Sequence, residues 1–115
     1  MKLPRVIRSH YQSHQAELEL ELPPELLWFE GHFPGHPVLP GVVQIHWALH
    51  FATSGLGVAG QFLALERVKF QQLVLPGSRL HLQLEHLADA GQLLFHYRND
   101  EGSVASGRID LGPAP

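Results

Sequence analysis

One stretch of this chain reads as a long helix, and it is apolar on nearly every side. From Val42 to about Ser54 neither proline nor glycine interrupts a run carrying Val42, Val43, Ile45, Trp47, Ala48, Leu49, Phe51 and Ala52. A helix apolar all round is buried, because it has no face to give to water. The remaining segments therefore have to cover it. Pro40-Gly41 marks its entrance, and Gly55, Gly57 and Gly60 mark its exit.

The rest of the pattern is that of strands. Gln15 to Leu22 alternates strictly, with Ala16, Leu18, Leu20 and Leu22 on one face, until Pro23-Pro24 stops it. Arg5 to Tyr11 is a candidate partner strand. Phe62 to Phe70 is another strand. After the Pro76-Gly77 turn, Ser78 to Leu87 places Leu80, Leu82 and Leu84 inward and His81, Gln83 and Glu85 outward. Gln92–Arg98 and Ser103–Leu111 form a hairpin across Asn99-Asp100-Glu101-Gly102. Strands, a loop, one helix and a run of strands give an α+β fold, an antiparallel β-sheet wrapped around one long central helix. At 115 residues it is expected as one domain over 1–115. A chain this short buries a modest share of its surface, so a second copy is a natural way to complete the core.

Composition excludes several functions. Net charge is −3 with histidine neutral, and no basic run or stripe suits nucleic acid. There is no cysteine, which removes disulfides, thiolate catalysis and Cys-based metal sites. No apolar run approaches the roughly 20 residues that span a bilayer. Lys2, Arg5 and Arg8 are not followed by an apolar core, so no signal peptide is expected and the cytoplasm is the expected location.

Between the second strand and the helix lies Trp28-Phe29-Glu30-Gly31-His32-Phe33-Pro34-Gly35-His36-Pro37-Val38-Leu39-Pro40-Gly41. Its prolines and glycines forbid regular structure over most of its length. Yet Trp28, Phe29, Phe33, Val38 and Leu39 are large and apolar, so the loop is expected to pack into the fold. A rigid loop of this kind suits the positioning of reactive groups.

Phe29 to Gly35, followed by Pro37 to Val42, resembles the active-site signature of the FabA/FabZ-type β-hydroxyacyl thioester dehydratases, a GHFPG loop and a PGV helix entrance. Arg67-Val68-Lys69-Phe70 and Val74-Leu75-Pro76-Gly77-Ser78 are similar to that family's second half, and the resemblance runs from about Glu17 to Leu111. It implies a hot-dog fold, a homodimer or higher assembly of dimers, and a 3-hydroxyacyl-[acyl-carrier-protein] dehydratase-like lyase. Such an enzyme needs no cofactor, uses an acyl carrier protein or CoA thioester, and engages neither nucleic acid nor membrane. Within the family, the short chain without an N-terminal helix is nearest to the aryl-polyene (ApeI-like) branch.

Each candidate residue has a chemical reason beside the resemblance. Dehydration removes a proton from C2 and expels hydroxide from C3. Histidine, titrating near 6.5, is a suitable base at neutral pH, and His32 sits in a constrained part of the loop. Gly41 opens the helix, where unpaired N–H groups carry partial positive charge and can stabilise an enolate oxygen. Phe33, Pro34, Gly35, Leu39, Val42 and Trp47 are the candidate substrate contacts, with Trp28 a further apolar wall.

His46 departs from the pattern. The family carries Glu or Asp at this position, five residues after the glycine, to protonate the leaving hydroxyl across a dimer. An imidazolium can do this too, and two nearby imidazoles disfavour each other's protonation, which suits one base and one acid. Gln44 lies about 200° around the helix from His46 and is a poor substitute. His46 and His50 share a helix face, but no carboxylate accompanies them on the helix, so no metal site is assigned. His10, His14, His81, His86 and His96 have no motif around them. Two alternatives stand beside dehydration. One is a hot-dog acyl thioesterase; the other is a non-catalytic acyl-thioester-binding or partner subunit lacking the family carboxylate.

Overall fold

In the computed structural model, which describes residues 2–29 and 38–113, six strands form one antiparallel sheet against a single long helix. The elements are β1 (Arg5–Tyr11), β2 (Gln15–Glu21), α1 (Gly41–Leu56), β3 (Phe62–Phe70), β4 (Arg79–Leu87), β5 (Gln92–Asn99) and β6 (Gly102–Leu111). The strand order is β1-β2-β4-β5-β6-β3, so β1 and β3 are the edges. Each element falls within a few residues of its sequence expectation.

The inner face of the sheet is written in leucine. Ala16, Leu18 and Leu20 of β2 stand opposite Leu84, Leu82 and Leu80 of β4. All six are buried, as are Leu93, Phe95 and Tyr97 of β5 and Ala105 and Ile109 of β6. Against this face α1 lays Val43, Trp47, Ala48, Phe51 and Ala52. Full burial of each large aliphatic side chain stabilises by about 1.5–3 kcal/mol relative to exposure.

An aromatic ring meets a glycine at each end of the helix. The Tyr11 ring of β1 occupies the space a Cβ on Gly55 would need, and the Phe70 ring of β3 does the same at Gly41. Gly57 then ends the helix in a left-handed conformation (φ 66°), its N–H donating to the Ala52 carbonyl.

The helix is not buried all round. Val42 is 71% exposed, His46 and Thr53 are exposed, and Leu49 is half-buried. These positions follow i, i+4, i+7, i+11, a single stripe along the helix. The sheet covers one side of α1 and leaves the opposite side of an apolar helix uncovered. The expectation of complete burial is therefore corrected for the single chain.

Strand β3 carries a second feature the alternation did not show. Leu65 pairs with Ile109, but past a register shift between Glu66 and Lys69 it is Phe70 that pairs with Ala105. Both Ile109 and Ala105 face the core. One extra residue has been inserted, so the inward positions change from odd to even. Arg67, at φ 55°, sits at this bulge. A left-handed conformation costs a non-glycine residue roughly 1–2 kcal/mol, and β-branching raises that cost.

Arg67→Gly should therefore leave the thermal midpoint unchanged or raise it, whereas Arg67→Val should lower stability by about 1 kcal/mol or more. Urea unfolding of the two variants checks this; equal destabilisation by both would contradict it.

Candidate functional site at the start of the helix

The site is built around the first turn of α1. Leu39 is buried, and its backbone N–H donates to the Val74 carbonyl at 2.8 Å. Pro40 is extended (φ −61°, ψ 142°) and its carbonyl accepts from the Val43 N–H at 3.1 Å. Among the described residues no side chain caps the helix, and its first turn holds no acid. Its leading N–H groups carry a partial positive charge.

Two aromatics hold this turn to the sheet. The buried Tyr97 hydroxyl of β5 donates to the Gln44 carbonyl at 2.6 Å. Burial drives the Tyr97 pKa well above its usual value. Phe70 lies on Gly41. Tyr97 and Phe70 flank the same residue, Ala105, which pairs with both. The small side chain of Ala105 leaves room for two rings to reach the helix.

The candidate residues divide between the two sides of α1. Val42 and His46 lie on the open stripe. Leu39 and Trp47 are in the core. The Trp47 indole N–H donates to the Lys2 carbonyl at 3.1 Å, and the Trp28 indole N–H donates to the same oxygen at 2.6 Å. His32, Phe33, Pro34 and Gly35 lie outside the described residues. Gln44 is buried and its Oε1 has no hydrogen-bond partner among the described residues.

Among the described residues the other histidines do not join this turn. His81 accepts from Arg98 Nη2 at 3.0 Å and lies 3.8 Å from Glu17, and His96 contacts the Ser103 hydroxyl at 2.7 Å. His50 stands edge-on to Phe51, with ring centroids 5.1 Å apart. Among the described residues no three His, Asp or Glu side chains are grouped to hold a metal.

Sequence reasoning passed over Phe70 and Tyr97. Phe70 stood inside a stretch already singled out, Arg67–Phe70, but strict alternation cannot turn both Leu65 and Phe70 inward.

Residues 8–108 match the ApeI-like family, described as ApeI dehydratase. The chain belongs to this family. It is 40% identical over 68 residues to the 3-hydroxyacyl-[acyl-carrier-protein] dehydratase FabZ of Acetivibrio thermocellus, covering 53% of this chain and 47% of that protein. The FabZ of Campylobacter fetus is 38% identical over 78 residues, covering 56% and 53%. The chain thus spans about half the length of the curated relatives it matches. Among solved structures, the dehydratase heterocomplex ApeI:P from Xenorhabdus doucetiae superposes with a TM-score of 0.91 at 38% identity, covering 96% of this chain and 99% of that one. An uncharacterized protein from Erwinia carotovora superposes at 0.85 with 41% identity, covering 96% and 97%. With the sheet order and the single helix, these matches establish the hot-dog fold of the ApeI-like family.

The Tyr97 anchor makes a stability prediction. Its folded pKa is raised, so the neutral phenol contributes stability that is full below the usual value of about 10 and is lost as pH rises beyond it. Tyr97→Phe should cost about 1 kcal/mol at neutral pH through the lost hydrogen bond. It should also flatten the fall in stability above pH ~10. Denaturant unfolding from neutral to alkaline pH reads both; an unchanged alkaline fall would contradict the assignment.

Proposed function

We propose that this chain dehydrates 3-hydroxyacyl thioesters, carried by acyl carrier protein or CoA, to trans-2-enoyl thioesters in fatty-acid or polyene-type biosynthesis. It does so as a cofactor-free cytoplasmic lyase. The observation that carries the reading is the helix start at Gly41, uncapped among the described residues, in a chain of the ApeI-like family whose sequence runs from the His32 loop directly into that turn.

His32 is the base. It takes the C2 proton, and the C–H pair becomes the enolate of the thioester. The enolate oxygen is stabilised by the N–H at Gly41 and the positive end of α1. His46, charged, protonates the hydroxyl at C3. The C3–O bond breaks, water leaves, and the C2–C3 double bond forms. Val42, one turn before His46 on the same stripe, lines the approach.

The site works between two chains. The open stripe of α1 and the apolar edge strand β3, where Phe62 and Leu63 are exposed, support a homodimer. A second reading rests on His46 and on the solved relative described as a heterocomplex. In that reading a non-identical partner supplies the carboxylate. Light scattering distinguishes them, because the homodimer predicts a stable dimer of the purified chain alone.

Incubating the purified protein with 3-hydroxyacyl thioesters should give the enoyl product by mass. His32→Ala should lower turnover by about 10²- to 10⁴-fold with little change in thermal midpoint. His46→Ala should also lower it, and His46→Glu should keep or raise it. A fully active His46→Ala variant would remove His46 from proton delivery. A wild type that is inactive alone but rescued by His46→Glu would favour the partner-subunit reading.

A further inference from the structure

Phe70 does not behave as a core residue. It is 50% exposed, yet one side of its ring is pressed on the helix start. Three ring carbons lie 2.6, 2.9 and 3.0 Å from the point a Cβ on Gly41 would occupy. Only glycine permits so close an approach at this position. The ring has one face on protein and one on open space, which is the geometry of a wall.

The β3 bulge is what brings it there. From Ala64 to Glu66 the pairing with β6 follows one register, and continued unbroken it would set Lys69 opposite Ala105. The inward side chain beside Gly41 would then be an ammonium group. The inserted residue sets Phe70 opposite Ala105 instead, and Lys69 opposite Ser106. The fold accepts a left-handed arginine, φ 55°, at the point of the switch. Bulges beside functional sites re-aim side chains in this way, and strain held at such a place points to function.

We infer that Phe70 is a specificity-determining residue, a wall beside Gly41 that restricts the substrate to acyl thioesters unbranched at C2. The inference rests on the reading above, in which the thioester carbonyl meets the Gly41 N–H. C2 is bonded to that carbonyl carbon, so a substituent on it is directed into the space beside the glycine. A hydrogen at C2 fits there; a methyl group meets the ring.

The test compares two substrates in each variant, 3-hydroxybutyryl-CoA and 2-methyl-3-hydroxybutyryl-CoA, as a ratio of kcat/KM. A ratio within one variant is insensitive to a general loss of folded protein. Wild type should prefer the unbranched substrate. Phe70→Ala should bring the ratio toward unity by at least tenfold, since one methyl group in an apolar pocket is worth roughly 10- to 200-fold. Phe70→Leu should fall between them. An unchanged ratio in Phe70→Ala overturns the inference. So does a dimer that becomes monomeric on light scattering while both substrates lose activity together, because Phe70 would then be an interface residue. Calorimetric binding of crotonyl-CoA and its 2-methyl counterpart measures the same discrimination without turnover. If wild type turns over neither substrate yet binding discriminates in a Phe70-dependent way, dehydration fails and the wall stands. If neither turnover nor binding discriminates, the wall fails.

Discussion

The packing of one apolar helix on one leucine-faced sheet sets the rest of this structure. The alternation in β2 and β4 gives the sheet a face that has to be covered, and Trp47, Ala48, Phe51 and Ala52 cover it. Because α1 is the only long helix among the described residues, its position fixes where its N-terminus points. That end is then secured by Tyr97 on the Gln44 carbonyl and by Phe70 on Gly41. A group of partial positive charge is thus held with no capping side chain among the described residues, at a point where a developing oxyanion would be stabilised without reorganisation.

The same packing leaves a debt on the other side of the helix. Among the described residues nothing fully covers the stripe from Val42 through His46 and the half-buried Leu49 to Thr53, and β3 offers an apolar edge. These features support the second chain proposed above as the partner for this side of the helix. His46 lies on the uncovered side, so the chemistry proposed for it and the completion of the core point to the same second molecule. With a histidine at this position, the identity of that molecule, a copy or a non-identical relative, is the question on which the proposed site turns.

Much of this was legible in the residues. Ala16, Leu18, Leu20 and Leu22 announce a half-buried strand by period two, and Pro40-Gly41 with Gly57 bracket the helix as capping chemistry requires. The helix stripe was not legible, because an apolar residue reads as buried whether its cover comes from its own chain or another. The bulge was not legible either. Arg67 carries no signal of a left-handed backbone, which in sequence is advertised by glycine or asparagine. Phe70 was therefore missed, although it stands next to residues already singled out. Tyr97 read as one more inward strand position, since nothing local shows that its hydroxyl finds a helix carbonyl. The loop from Glu30 to Pro37, with His32, lies outside the described residues, and its role rests on sequence and chemistry.

The most direct test of the central claim is to run the proposed reaction backwards in heavy-oxygen water. A trans-2-enoyl thioester incubated with the protein should acquire the label at C3, as a 3-hydroxyacyl group whose thioester bond is intact. Label found instead in a free carboxylate, with release of the thiol, would show hydrolysis at C1 and contradict the account.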